Sequence, residues 1–147
     1  MEWVALVTWV LTAGGGFVML GLWLKHGGMQ HSDLPGDRIR SARILSHFAR
    51  AASGLVIWII YLATDSEGLA WIAFALLAVV AVLGFSMLAI WLRQRSHQPA
   101  LAGAGAPVRD ATPPEQHFPI PIVALHGLLA ATTLVLVLLV AAGVGGS

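Results

Sequence analysis

The sequence predicts an all-α integral membrane protein, namely a four-helix up-and-down transmembrane bundle built from two tandem helical hairpins with parallel pseudo-two-fold symmetry. Three observations lead to this prediction. The chain of 147 residues is 58% hydrophobic and 10% charged, with a mean hydropathy of +0.83, which is far too apolar for a soluble domain of this length. Four apolar stretches are long enough to cross a bilayer. The segment GFVMLGLWLK at residues 16–25 returns as GFSMLAIWLR at residues 84–93.

The four predicted transmembrane helices cover residues 3–24, 44–64, 69–92 and 118–142. The ~30 Å hydrocarbon core of a bilayer requires about 20 residues of helix, which each stretch provides. The second helix must include His47, because the apolar residues that follow it would span only ~20 Å by themselves. The whole chain, 1–147, is therefore predicted to form a single transmembrane domain.

Basic residues set the predicted orientation. Segments 25–43 and 93–117 carry every Lys and Arg of the chain except Arg50, whereas the connection at residues 65–68 carries none. The positive-inside rule makes both basic segments cytoplasmic and puts both termini on the outer side of a bacterial plasma (inner) membrane. Residues 97–117 contain an Ala/Gly run and several prolines, which predicts a flexible cytoplasmic loop.

Composition also excludes several classes of partner and site. A net charge of +1 gives no basic surface for a nucleic acid, so no nucleic-acid partner is expected. The chain has no cysteine, which excludes disulfides, thiolate metal sites and c-type haem attachment. The sequence contains no paired-carboxylate site, serine elbow, phosphate loop or HExxH motif. The sequence does not decide whether the protein is an enzyme. If it is one, the class that remains is a membrane oxidoreductase or electron-transfer component.

The repeat extends through the whole of the first and third predicted helices. An alignment without gaps gives identical pairs that include two tryptophan pairs and one glycine pair: Trp3 with Trp71, Trp23 with Trp91 and Gly16 with Gly84. Residues 1–66 and 67–147 are therefore predicted to be two copies of one hairpin. Both copies enter the membrane from the same side, which places the pseudo-two-fold axis along the membrane normal. The second and fourth helices then lie diagonally across the bundle.

His47 and His126 occupy equivalent positions in the second and fourth helices. An ionisable side chain within a transmembrane helix is costly, usually faces the bundle interior and marks a functional site by default. The pseudo-two-fold would aim both imidazoles at one central point. Two neutral imidazoles on facing helices suit the iron of haem b. The sequence therefore predicts His47 and His126 as the metal ligands of one haem.

Five further residues are predicted to bind the cofactor because they lie beside the two histidines: Arg50, Ala51, Gly54, Ala130 and Thr133. The small side chains among them allow either a flat cofactor or a neighbouring helix to approach the backbone. The arginine is expected either to meet the haem propionates or to reach lipid headgroups alone. The glycine run at residues 14–16 leaves a similar choice between a packing notch and the edge of a cofactor or quinone.

Two other interpretations of the histidine pair remain open. Imidazole titrates near neutrality, so the pair could handle protons, or it could only hydrogen-bond neighbouring helices. The other four histidines lie in the basic segments: His26, His31, His97 and His117. No pair of them has the i, i+4 spacing of helical zinc motifs. We interpret them as solvated interfacial histidines and leave metal binding by them open.

In layout the chain resembles the small four-helix membrane b-type cytochromes, through its helix count and its one histidine pair. That resemblance implies haem held between histidines on different helices. The leading hypothesis is a small b-type haem-binding protein that exchanges electrons with a quinone or a membrane redox partner. The alternatives are a non-catalytic accessory or assembly subunit of a larger membrane complex and a small proton-coupled or metal transporter. The expected partners are the lipid bilayer and either a redox protein or a second copy of the chain.

Overall fold

The computed structural model describes the backbone of residues 1–31, 38–102 and 112–144, and the side chains of residues 1–30, 38–96 and 112–144. Within these ranges the chain is helical and contains no strand. The elements in chain order are α1 (Glu2–Lys25), α2 (Gly28–His31), α3 (Ser41–Thr64), α4 (Glu67–Ala102), a 3₁₀ helix (Pro114–His117) and α5 (Ile120–Ala141).

Four of these helices, α1, α3, α4 and α5, are long and apolar enough to cross a membrane. The prediction of an all-helical chain with four long apolar helices is confirmed. The helix bounds differ most in α4, which runs on to Ala102, well past its predicted end at residue 92. Residues 103–111 of the predicted flexible loop lie outside the described residues.

The helix ends follow local chemistry. α3 ends at Asp65, which adopts a left-handed conformation with φ of 50° and donates its N–H to the carbonyl of Tyr61. This C-terminal turn reverses the chain directly into α4. α5 begins after Pro119 and has Pro121 in its first turn, where the missing N–H of proline removes no helical hydrogen bond.

The four long helices form a ring in which α1 packs along α5, α5 along α4 and α4 along α3, and a shorter contact between α1 and α3 closes it. α3 and α5 therefore lie across the bundle from each other. These two helices carry His47 and His126, so the helix arrangement brings both imidazoles to the interior from opposite sides.

One end of the bundle, here named the aromatic end, has a closely packed core made by Trp9, Trp58, Tyr61, Leu77 and Val137. The Trp9 and Trp58 ring centroids lie 6.5 Å apart, and those of Trp58 and Tyr61 lie 4.8 Å apart. The Tyr61 hydroxyl donates a 2.7 Å hydrogen bond to Glu2 Oε1. This contact ties the start of α1 to the end of α3.

The opposite end, here named the basic end, is organised around Glu115 of the 3₁₀ helix, which is only 1% exposed. Glu115 Oε1 accepts hydrogen bonds from the Ile39 N–H at 2.9 Å and from Gln94 Nε2 at 2.7 Å. The Glu115 carbonyl accepts a third from Trp91 Nε1 at 3.0 Å. Trp23 is buried here too. One carboxylate therefore joins the segment before α3, the C-terminal part of α4 and the approach to α5.

We predict that Glu115→Ala lowers the free energy of unfolding by about 2–4 kcal/mol, because two buried donors lose a charged acceptor. Denaturant titration in detergent micelles, followed by circular dichroism, measures the loss. Glu67→Ala is the matched control, since Glu67 is exposed at the start of α4 and its removal should cost less than about 1 kcal/mol. Equal losses in the two variants would contradict the role given to Glu115.

Candidate functional site

His47 on α3 and His126 on α5 face each other across the bundle, with ring centroids 6.4 Å apart and ring planes inclined by 53°. Both residues are half-buried. The distance is too long for a direct hydrogen bond between the two rings through facing nitrogens. The two imidazoles are therefore near neighbours without a direct hydrogen bond between them.

Each imidazole is oriented by a hydrogen bond to the backbone of an adjacent helix. His47 Nδ1 lies 3.0 Å from the Val80 carbonyl of α4, and His126 Nδ1 lies 2.9 Å from the Thr12 carbonyl of α1. A carbonyl oxygen can only accept, so Nδ1 carries the hydrogen in both rings. In the neutral ring this leaves Nε2 with a free lone pair, which is the nitrogen that can bind a metal.

Two glycines lie directly against the imidazole rings. A Cβ atom at Gly84 would lie 3.3 Å from His47 Cε1, and a Cβ atom at Gly16 would lie 3.3 Å from His126 Cε1. These distances are shorter than ordinary van der Waals contact, so a larger side chain at either position would displace the ring. The glycines keep the space beside both imidazoles free of side chains.

The part of the bundle that contains the two histidines is less closely packed than the ends. This middle section comprises residues 10–22 of α1, 41–53 of α3, 81–90 of α4 and 120–132 of α5, and none of these described residues is buried. The inward-facing side chains of a close-packed bundle are normally buried. The section extends along α4 for about 16 Å between the buried Val80 and Trp91. The interior therefore has room that its own side chains do not fill.

A cavity of about 220 Å³ opens between α1 and α5 next to His126. Apart from the imidazole, its walls are apolar or glycine: Leu11, Gly14, Gly15, Val18, Ile122, Leu125 and Leu129. Two members of the glycine run 14–16 thus line a cavity, and the third, Gly16, contacts the imidazole.

The other predicted cofactor-binding residues have different surroundings. Arg50 is exposed and donates from Nη1 to the Ser46 carbonyl of its own helix at 3.3 Å. Gly54 is buried against the Trp9 ring, where a Cβ atom would lie 3.1 Å from it. Thr133 Oγ1 is buried and bonds the Thr8 hydroxyl at 3.0 Å. These two positions contact α1 at the aromatic end.

The two remaining small residues of this set, Ala51 and Ala130, are half-buried. Ala51 packs against the hydrophobic core next to Gly54. Both alanines lie one turn from their histidine, in the direction of the aromatic end. Their short side chains leave the region above each imidazole uncrowded.

The remaining histidines form no cluster of metal ligands in the described residues. His26 and His117 stack at the basic end, with centroids 3.7 Å apart and planes inclined by 9°. His26 Nδ1 lies 2.8 Å from the Leu22 carbonyl. No group of three or more His, Asp or Glu side chains in this part of the chain could hold a metal ion. The side chains of His31 and His97 lie outside the described residues.

Four positions shape the pair, namely the carbonyls of Thr12 and Val80 and the glycines Gly16 and Gly84; sequence reasoning offered Gly16 as one of two alternatives for the glycine run and missed the other three. A signal was present, because Gly16 and Gly84 begin the two copies of the repeated segment. The same register pairs Thr12 with Val80. A search of the repeat for residues that face the histidines would have found all four.

No protein-family model matches this chain, and no curated protein and no solved structure matches it. The functional interpretation therefore depends on the geometry of the site alone.

We predict that Trp9→Ala lowers the free energy of unfolding by about 3–5 kcal/mol, because it empties the space between Gly54 and Trp58. Trp9 is 3% exposed. Trp3→Ala is the matched control on the same helix, since Trp3 is 66% exposed and its loss should cost less than about 1 kcal/mol. Denaturant titration in micelles measures both, and a Trp9 loss no larger than that of Trp3 would contradict the packing described.

Proposed function

We propose that this chain is a small membrane b-type haem protein that holds haem between His47 and His126 and transfers electrons. The observation that carries the proposal is the 6.4 Å separation of two imidazoles in a section of the bundle that its own side chains leave unfilled. A pair that served packing alone would be surrounded by buried neighbours. Here the neighbours on the adjacent helices include the glycines Gly16 and Gly84.

The donor set fits an iron atom with two axial histidines. A nitrogen of a five-membered ring lies about 1.2 Å from the ring centroid, and a histidine nitrogen binds a metal at about 2.0–2.1 Å. Two imidazoles that bound one iron from opposite sides would therefore have centroids about 6.4 Å apart, which agrees with the observed 6.4 Å. The hydrogen bonds from Nδ1 to the Val80 and Thr12 carbonyls are the supporting contacts that fix ligating histidines in orientation.

Each residue of the proposed haem site has a separate role. His47 and His126 would hold the iron through Nε2, and the two carbonyls keep Nδ1 protonated and the rings in place. Gly16 and Gly84 leave the space that the macrocycle edges need. Bound haem supplies one-electron chemistry. The apolar cavity beside His126 supports exchange of electrons with a lipid-soluble quinone or a membrane redox partner.

Membrane insertion and orientation belong to the same proposal. Large apolar side chains are exposed on all four long helices, among them Val7, Val56, Val82 and Leu128, and in a bilayer they would meet lipid. We infer from the distribution of Lys and Arg that the basic end faces the cytoplasm. With one haem near that face, electrons would cross the rest of the bilayer only with the help of a quinone or a partner subunit.

The internal duplication is also part of the proposal. The register that pairs Gly16 with Gly84 pairs Thr12 with Val80. In one copy the glycine and the carbonyl contact His126, and in the other copy their counterparts contact His47. These matching contacts support two tandem hairpins related by a pseudo-two-fold axis.

The decisive experiment is an absorption spectrum of protein purified in detergent from haem-replete cells. We expect a Soret band and, after reduction, the sharp visible bands of a six-coordinate haem. His47→Ala and His126→Ala should each reduce haem content by at least about tenfold, and added imidazole should restore part of it. His26→Ala, at the basic end, is the control and should keep the band.

A wild-type protein without a Soret band, or an unchanged band in both histidine variants, would overturn the haem proposal. A colourless protein that co-purifies with defined membrane proteins would favour the accessory-subunit alternative. A colourless protein with pH-dependent flux in liposomes, lost in either histidine variant, would favour the transporter.

The glycines provide a second test. Gly16→Leu and Gly84→Leu introduce side chains next to the imidazole Cε1 atoms, so we expect each to reduce haem content by roughly tenfold or more while helix content is kept. Gly21→Leu is the control, because nothing lies within 4 Å of a Cβ atom at Gly21. Haem content per protein, from the pyridine haemochrome spectrum, is the measurement. Equal haem content in all three variants would show that the glycines do not border the cofactor.

A further inference from the structure

Two arginine side chains at the basic end contain buried nitrogens that lack a partner. Nη1 of Arg38 and Nη1 of Arg95 are buried and make no hydrogen bond within the part of the chain that the structure describes. A buried guanidinium nitrogen without an acceptor is costly, because it has lost its water and gained nothing in exchange. Such groups in folded proteins call for an explanation, and a bound anion is a common one.

The two arginines are next in sequence to residues that bond one carboxyl group. Arg38 precedes Ile39, whose N–H donates to Glu115 Oε1, and Arg95 follows Gln94, whose side chain donates to the same atom. The Arg95 guanidinium carbon lies 4.6 Å from the centroid of the Trp91 ring, and Trp91 in turn bonds the Glu115 carbonyl. Both arginines therefore belong to the end of the bundle that Glu115 organises.

Glu115 does not supply the missing acceptor. Glu115 is the only acidic residue at the basic end among those that the structure describes, and its Oε1 already accepts two hydrogen bonds. The two donors are a backbone N–H and a side-chain amide, so Arg38 and Arg95 each keep a buried Nη1 without an acceptor.

We propose that Arg38 and Arg95 bind the phosphate group of an anionic phospholipid. Two guanidinium groups can each form paired hydrogen bonds to phosphate oxygens. Both arginines lie next to the ends of long apolar helices, α3 and α4, at the depth where headgroups meet a membrane protein. Basic pockets between transmembrane helices on the cytoplasmic side bind such headgroups in general.

This site is separate from the histidine pair. Gly84, which contacts His47, lies about 16 Å along α4 from Arg95, and the buried Trp91 lies between them. The lipid site rests on the proposed membrane insertion, but it does not depend on haem binding. The Soret band of the arginine variants should equal that of the wild-type protein, so either proposal can fail without the other.

The test is native mass spectrometry of protein taken from nanodiscs that contain equal amounts of phosphatidylglycerol and phosphatidylcholine. We expect the wild-type protein to retain phosphatidylglycerol preferentially, and R38Q/R95Q to lose that preference by roughly tenfold. R40Q/R93Q is the matched control, because it removes two exposed arginines and the same charge close to the site in sequence. Its lipid preference should equal that of the wild type.

A further variant separates loss of binding from loss of folding. R38K/R95K keeps both charges and removes the paired donor geometry, so its preference should lie between those of the wild type and R38Q/R95Q. Preference unchanged in R38Q/R95Q, or reduced as strongly in R40Q/R93Q, would overturn the proposal. Millimolar inorganic phosphate should not displace phosphatidylglycerol, and displacement would overturn the assignment to a lipid in favour of soluble phosphate.

Discussion

Two hydrogen bonds from imidazole to backbone carbonyl control the middle of this bundle. His47 ties α3 to the Val80 carbonyl of α4, and His126 ties α5 to the Thr12 carbonyl of α1. Helices in lipid gain little by burying apolar surface against each other, because lipid tails are equally apolar. Polar contacts and close approach of small residues therefore decide which helices meet. Each imidazole needs its carbonyl, and the glycine beside each ring is what lets the helix come close enough.

The two packed ends hold the helices apart at a fixed spacing, and this is why the middle can stay unfilled. At the aromatic end Trp9 and Trp58 fill the interior, and at the basic end Glu115 accepts hydrogen bonds from the segment before α3 and from α4. Without these packed ends the helices would move together and fill the empty interior, because side chains that line a void lose dispersion contacts. The middle section is therefore preorganised, and a ligand that enters it would not need to separate the helices.

Hydropathy was sufficient to predict the four long helices, because each apolar stretch matches the thickness of a bilayer. The extension of α4 to Ala102 was not predictable this way, since Ala and Gly beyond the apolar stretch are equally typical of a linker.

The candidate site was less predictable. Small residues beside a histidine do not show whether a cofactor or a neighbouring helix packs against them. Gly54 contacts Trp9 of α1, and this tertiary contact could not be predicted from the residues around Gly54 in sequence. The burial of Glu115 likewise depends on donors distant in sequence.

The two halves of the chain that we propose as copies of one hairpin differ in their packing residues but not around the histidines. At the aromatic end Trp9 pairs in register with Leu77, and Trp58 pairs with Val137, yet all four belong to one core. A core tolerates such exchanges of volume as long as the total space is filled. At the level of His47 and His126 both copies instead keep the same residue, the same carbonyl contact and the same glycine neighbour. Packing alone would allow the volume to be redistributed here too, whereas one ligand shared by both histidines requires the two halves to stay alike.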